Sequence, residues 1–208
     1  MKKIIIIQHC QSEHHINNMS GGWTDTPLTD LGRKQAELLG MRLKKELEEN
    51  EYVLYSSDLM RANQTADIIG KHLSSKVIVE RGLREINTGI AAGKTKEWCS
   101  ENRNPLKGNK FYIDYQEFED GETWREFYSR LCDCMERICA SEEKDLIIVT
   151  HGCALSYIVA WWMKFEPEML AKAYFSASPG SISILQENIF GQNFLRLLND
   201  TSHLAELK

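Results

Sequence analysis

Apolar residues fall along the chain in two rhythms. Lys3 to Gln8 (KIIIIQ) and Asp145 to Thr150 (DLIIVT) are continuous β-branched runs, the pattern of strands buried on both faces. Glu51 to Ser56, Lys76 to Glu80, Ser181 to Gln186 and Phe194 to Asn199 read as further strands, the last two joined by a turn at Asn188 to Gln192. Between them runs a helical period. Thr29 and Asp30 can cap a long helix through about Glu49, with Ala36, Leu39, Leu43 and Leu47 on one stripe. Leu59 to Leu73, Thr123 to Cys139 and a segment starting at Ala154 and reaching Trp162 also read as helices, with a short one near Thr95 to Glu101. His9 to Pro27 reads as a polar loop and Gly82 to Gly121 as irregular.

Strands alternating with helices predict an α/β fold, a three-layer α/β/α sandwich around a mostly parallel sheet. Ligands of such sheets sit beyond the carboxyl ends of the strands. That rule points to His9, to Ser57 to Arg61 and to His151. No repeat, linker or composition break divides the chain, so residues 1–208 are expected to form a single domain, with a specificity insertion around 93–121.

The bulk numbers narrow the class of partner. The chain has 208 residues, 42% of them hydrophobic, enough for one core without covalent staples. A net charge of −5 argues against a broad nucleic-acid or acidic-membrane surface. Ile4 to Ile7 is too short for a signal-peptide core, and no apolar run approaches the ~18 residues of a membrane helix. The cysteines, Cys10, Cys99, Cys132, Cys134, Cys139 and Cys153, form no CxxC pair. They are read as reduced thiols of a cytoplasmic protein. No metal is expected, and Cys132, Cys134 and Cys139 lack the second ligand cluster that zinc would need. A homodimer is left open.

Seven short blocks then fall in a recognisable order. They are Gln8-His9-Cys10-Gln11-Ser12, Gly22-Trp23-Thr24-Asp25 running on to Leu28-Thr29 and Gly32, Ser57 to Ala66 (SDLMRANQTA), Leu83-Arg84-Glu85, Gly121-Glu122-Thr123, Thr150-His151-Gly152, and Asn199 to Leu204. In this order and over this span the chain resembles the histidine phosphatase superfamily, the phosphoglycerate-mutase-like branch 1. The resemblance implies a phosphatase that hydrolyses a phosphomonoester through a phosphohistidine, with a small phosphorylated substrate and no cofactor. By the same resemblance His9 is the nucleophile and His151 and Arg61 hold the phosphoryl oxygens, His151 as a protonated donor. Glu85 is the proton donor, with Glu122 or Glu97 as other carboxylates for that part. Gln8, Gln11, Ser12, His15, Gly22 (through its amide) and Gly152 complete a substrate-binding cradle. Family mutases carry longer insertions, which favours hydrolysis here.

Three departures lie in the first block. Gln8 replaces the family arginine, Cys10 the family glycine, and His15 the family asparagine. A protonated His15 could restore part of the lost charge. Cys10 would be strained if its φ were positive, and a thiol there could be redox-sensitive. These changes leave open a weakly active or inactive member that binds phosphorylated ligands. His14, His72 and His203 are read as surface or supporting residues, and Trp161 and Trp162 as core. Trp98, Phe111, Tyr112, Tyr115 and Phe118 either line a pocket for an apolar leaving group or form a small core of their own. Gly89 to Thr95 looks like a phosphate-binding P-loop but is one residue short and follows no buried strand. A tyrosine-phosphatase role for Cys10 fails because Ile16, not arginine, stands six residues on.

Overall fold

The computed structural model describes residues 2–47 and 51–207. Six strands form one sheet: β1 (Lys3–Gln8), β2 (Tyr52–Ser56), β3 (Val77–Val79), β4 (Asp145–Thr150), β5 (Ile182–Glu187) and β6 (Asn193–Asp200), in the order β3-β2-β4-β1-β5-β6. The first four are mutually parallel, and β5 and β6 add an antiparallel hairpin at one edge. The expected fold class is what is found.

The unbroken isoleucine run of β1 has a direct cause. Ile4 and Ile6 face α5 (Trp124–Ser141) and α6 (Gly152–Trp162), while Ile5 and Ile7 face α2 (Asp30–Glu46) and α3 (Met60–Leu73). Each face of the strand therefore meets its own helical layer, and no position is left for a polar residue. Full burial of each such side chain is worth about 1.5–3 kcal/mol relative to exposure. Ala36, Leu39, Leu43 and Leu47 all lie in the second of these cores, as their spacing predicts. Thr29 accepts the Gly32 amide at 3.0 Å as the cap of α2. That helix is helical to Glu46, and residues 48–50 of its expected extension lie outside the described ones. Trp161 and Trp162 are buried in the α5–α6 core.

Two stretches differ from expectation. The loop after β1 contains a helical turn, α1 (Glu13–Ile16), too short to show a period. Segment 93–121 holds α4 (Lys96–Asn102), and its aromatic residues separate. Trp98 and Phe118 stack at 6.4 Å and pack with Ala91 and Cys99 as a small core, whereas Phe111 packs edge-on to Trp124 of α5 at 5.5 Å. Trp98 and Phe118 thus form the small core that was one of the two alternatives, while Phe111 turns to α5. The P-loop look-alike is a 3-10 turn at Gly89–Ala91 running into the cap of α4.

Candidate active site

β1, β4 and β2 are adjacent, so the residues that follow them converge. His9 leaves β1, with its amide donating to Thr150 O at 2.8 Å. Its Nδ1 lies 2.8 Å from the Cys10 carbonyl. A carbonyl can only accept, so Nδ1 carries the proton and Nε2 keeps the lone pair. Arg61 donates its Nε–H to that Nε2 at 3.1 Å. Burial, and then the charge of Arg61, hold the imidazole well below its ordinary pKa. His9 is accordingly a neutral imidazole near pH 7 with its lone pair on Nε2.

Arg61 enters from the first turn of α3 and is 1% exposed. Its Nη1 and Nη2 donate to the carbonyls of Thr24 and Gly22, both at 2.7 Å. Carbonyls orient a guanidinium without cancelling its charge, as a paired carboxylate would. Burial lowers its pKa to about 10, still fully cationic at neutral pH. Gly22 sits at φ +53°, where a Cβ would come 2.3 Å from Thr88 Oγ1. Its carbonyl steers Arg61.

The loop after His9 supplies more imidazole. His15 stacks on His9 at 5.5 Å, and His14 lies 4.0 Å from His15 and 5.8 Å from His9. Ser12 is fully buried. Its amide donates to His15 Nδ1 at 3.0 Å, and its Oγ lies 2.9 Å from His14 Nδ1. Burial and neighbouring cations push His14 down to about 3 and His15 to about 4. The ligand-free His15 is therefore neutral, contrary to the expected positive charge. Because its Nδ1 accepts, its proton sits on Nε2, which makes it an N–H donor like the family asparagine. His14, read as a supporting residue, is buried inside the cluster. Ligand atoms of His9, His14 and His15 lie within 4.8 Å of one another, a spacing a metal ion could use. The Arg61 N–H on His9 Nε2 and the protonated Nε2 of His15 suit an anion better than a cation.

His151 caps α6 and is wholly buried. Its ring lies 5.1 Å from that of His9, and its Nε2 lies 2.8 Å from Ser57 Oγ at the end of β2. Among the described residues its Nδ1 has no hydrogen-bond partner, and neither does the buried Gln8 Oε1. Gln8 lies against Gly152, where a Cβ would come 3.5 Å from its Oε1. Burial, reinforced by Arg61 and His9, lowers the pKa of His151 well below the ordinary value. The expected protonated state is thus not that of the ligand-free protein. An adjacent phosphoryl dianion would favour it.

Glu85 meets the other side of α6. Its Oε2 accepts the Cys153 amide at 3.0 Å, and its Oε1 accepts those of Ile86 and Ala154 at 3.0 and 3.2 Å. Burial raises its pKa, opposed by these amides and by Arg61. A carboxyl so placed can hold a proton higher in pH than an exposed one and still exist as an anion. The other acids have different work. Glu122 accepts from Arg130 at 2.7 and 2.8 Å and from the Asn87 amide at 2.8 Å. Arg130 in turn reaches the Glu85 carbonyl at 3.1 Å. Glu122 therefore braces the Glu85 loop, while Glu97 is exposed on α4. Trp23 Nε1 ties the same carbonyl at 2.8 Å, under the Arg84 guanidinium.

Gln11 and Cys10 turn elsewhere. Gln11 Oε1 accepts the Thr29 hydroxyl at 2.7 Å, and its amide N–H donates to Gln35. Its side chain thus anchors the start of α2. Cys10 has negative φ, so the expected strain is absent. Burial raises its thiol to about 12, so the thiolate is disfavoured there. Ser57 stood in the strand-end stretch that the sequence pointed to, without a role of its own, and His14 was read as a surface or supporting residue. Ser57 lay in a recognised block, and His14 only two residues past another.

Buried imidazoles, a buried cation and a carboxyl of raised pKa thus gather at the strand ends of a mostly parallel sheet. The chain belongs to the histidine phosphatase superfamily, branch 1, whose model matches residues 4–201. It is 31% identical over 172 residues to a putative phosphoserine phosphatase 2 of Hydrogenobacter thermophilus, covering 76% of this chain and 77% of that one. It is 28% identical to a broad-specificity phosphatase of Saccharomyces cerevisiae over 98% and 88% of the two chains. A phosphoserine phosphatase from Entamoeba histolytica, solved with 3-phosphoglyceric acid, superposes with a TM-score of 0.77 at 25% identity, over 98% of this chain and all of that one. Proteins named phosphoglycerate mutases match as well.

Proposed function

We propose that this protein is a metal-independent phosphomonoesterase working through His9. The observation that carries the reading is the tautomer of His9: Nδ1 is tied to a carbonyl, so the lone pair of Nε2 points at Arg61. A phosphoryl group bound by Arg61 would sit where that lone pair can reach it. His9 Nε2 then forms a bond to phosphorus as the bond to the leaving oxygen breaks. Glu85 gives its proton to that oxygen, releasing an alcohol. Water next attacks the phosphohistidine, Glu85 takes its proton, and the P–N bond breaks to return His9 and inorganic phosphate. Charge grows on the equatorial oxygens, where Arg61, His151, His15 and Ser12 supply donors, with Gln8 and Gly152 at the α6 side. Gln8 brings no charge, so the clamp is weaker than one with arginine.

The substrate is read as a small phosphorylated molecule of the cytoplasm, and residues 1–208 as one catalytic domain whose segment 93–121 shapes selectivity, in a monomer or a homodimer. The test is covalent. Reaction with a radiolabelled phosphomonoester in EDTA, quenched in alkali, should leave phosphate on the His9 peptide, and His9→Ala should remove both label and turnover. Label on His151 or Cys10, or loss of turnover in EDTA, would overturn the scheme. A protein that binds phosphate esters with no label and no turnover would be a binding member of the family.

A further inference from the structure

Beside Cys153, whose Sγ lies 3.7 Å from the Tyr174 hydroxyl, is a cavity of 360 Å³ lined by Phe111, Trp124, Tyr157, Leu170, Ala173 and Tyr174, among others. Lys172 is the one charged side chain in that lining. We propose that this cavity receives an aromatic leaving group, so that the substrates are aryl or aralkyl phosphomonoesters; this rests on the phosphatase reading above.

The first support is continuity with the chemistry. Glu85 Oε2 accepts the Cys153 amide at 3.0 Å, and Cys153 Sγ lies 3.7 Å from the Tyr174 hydroxyl. One residue, Cys153, therefore separates the proton donor from the aromatic wall. The oxygen that Glu85 protonates is the one that carries the leaving group, so its substituent emerges on this side. The second support is composition. The cations and polar donors of the site gather at His9, while the cavity beyond is apolar. A phosphate ester of an aromatic alcohol divides its chemistry in the same way. A zwitterionic leaving group would need partners of both signs, and the cavity offers only Lys172.

The third support is preorganisation. Trp124 packs on Phe111 at 5.5 Å and on Tyr157 at 5.7 Å, so the wall is already assembled by core contacts. Tyr174 closes the outer side with a ring that is 57% exposed. A ligand ring would cover it at little ordering cost. The volume is at the lower end of those that hold small ligands, which suits one ring on a short arm.

The experiment compares 3-phenylpropyl phosphate with propyl phosphate, whose leaving oxygens are chemically alike. The expected kcat/KM ratio is at least about tenfold in favour of the phenyl ester. Tyr174→Ala, at an exposed position, should cut that ratio several-fold, and Ala173→Trp, which fills the cavity, should bring it to about one. Size-exclusion chromatography of both variants keeps a second reading in view. A parent ratio near one, with turnover intact, overturns the inference and leaves the phosphatase standing. So does an unchanged ratio in correctly folded variants, including the case where they alter only the oligomeric state because a second copy covers the cavity. Absence of turnover and of phospho-His9 with every ester would instead overturn the phosphatase reading itself.

Discussion

His9 and His151 follow neighbouring strands, are both buried, and lie 5.1 Å apart, yet their surroundings give them different chemistry. His9 Nδ1 faces a carbonyl, which accepts only, so its tautomer is locked and Nε2 is a permanent lone pair. His151 Nε2 faces the Ser57 hydroxyl, which can give or take a proton, and its Nδ1 faces no partner among the described residues. Its protonation can therefore follow the charge of what binds. Burial keeps both neutral in the free protein. For a nucleophile that is the working state, whereas an oxyanion donor needs the proton back when the dianion arrives. The lesson is that burial alone assigns no role to a histidine; the second nitrogen does.

The largest effect that separates the two histidines from their neighbours is expected at Glu85. Glu85→Gln should lower kcat/KM for an alkyl phosphate by about 10²–10⁴ and affect kcat/KM for p-nitrophenyl phosphate far less, since that leaving group needs no acid. The raised pKa of Glu85 places its loss of activity on the alkaline side, as the carboxyl ionises. His9, held low, needs to be neutral and so costs activity only at more acidic pH. The alkaline limb of kcat/KM should vanish in Glu85→Gln. Its persistence would mean that a group other than Glu85 titrates there.

Next comes His151→Asn, which should reduce kcat by about 10²–10³, the cost of one oxyanion donor, while label still forms on His9. Ser57→Ala should cost less, about five- to tenfold, because it removes only the hydroxyl that buffers the proton of His151. If Ser57→Ala instead matched His151→Asn, the serine would itself be touching substrate.

A comparable gain is expected at Gln8. A charge-assisted hydrogen bond is worth ~1.5–3 kcal/mol and a neutral one about half that, so Gln8→Arg should raise kcat/KM roughly tenfold. The side chain already lies against Gly152, on the His151 side of the site. No accompanying change at Cys10 is needed, since its backbone is unstrained. A correctly folded Gln8→Arg with lower activity would make the glutamine an adaptation to an apolar substrate and so strengthen the case for the aromatic cavity.

What the sequence by itself determined is the sheet, its helices and the family. Runs of β-branched residues can be satisfied only by burial on two faces, and helical stripes only by packing one face, so these elements are written locally. The strand-end rule and the ordered blocks pointed to His9, Arg61, Glu85 and His151, and all four gather in one buried cluster. What only the tertiary structure decided is how each is set. Arg61 is aimed by carbonyls 37 and 39 residues away, and His151 is paired with a serine 94 residues away. Glu122 braces rather than protonates because Arg130 reaches it, and His14 joins the site because a four-residue helical turn folds it under Ser12. The neutral state of His15 and the raised pKa of the Cys10 thiol follow from desolvation. Protonation states and hydrogen-bond partners belong to the enclosure that distant segments build together, and no local pattern of residues encodes them.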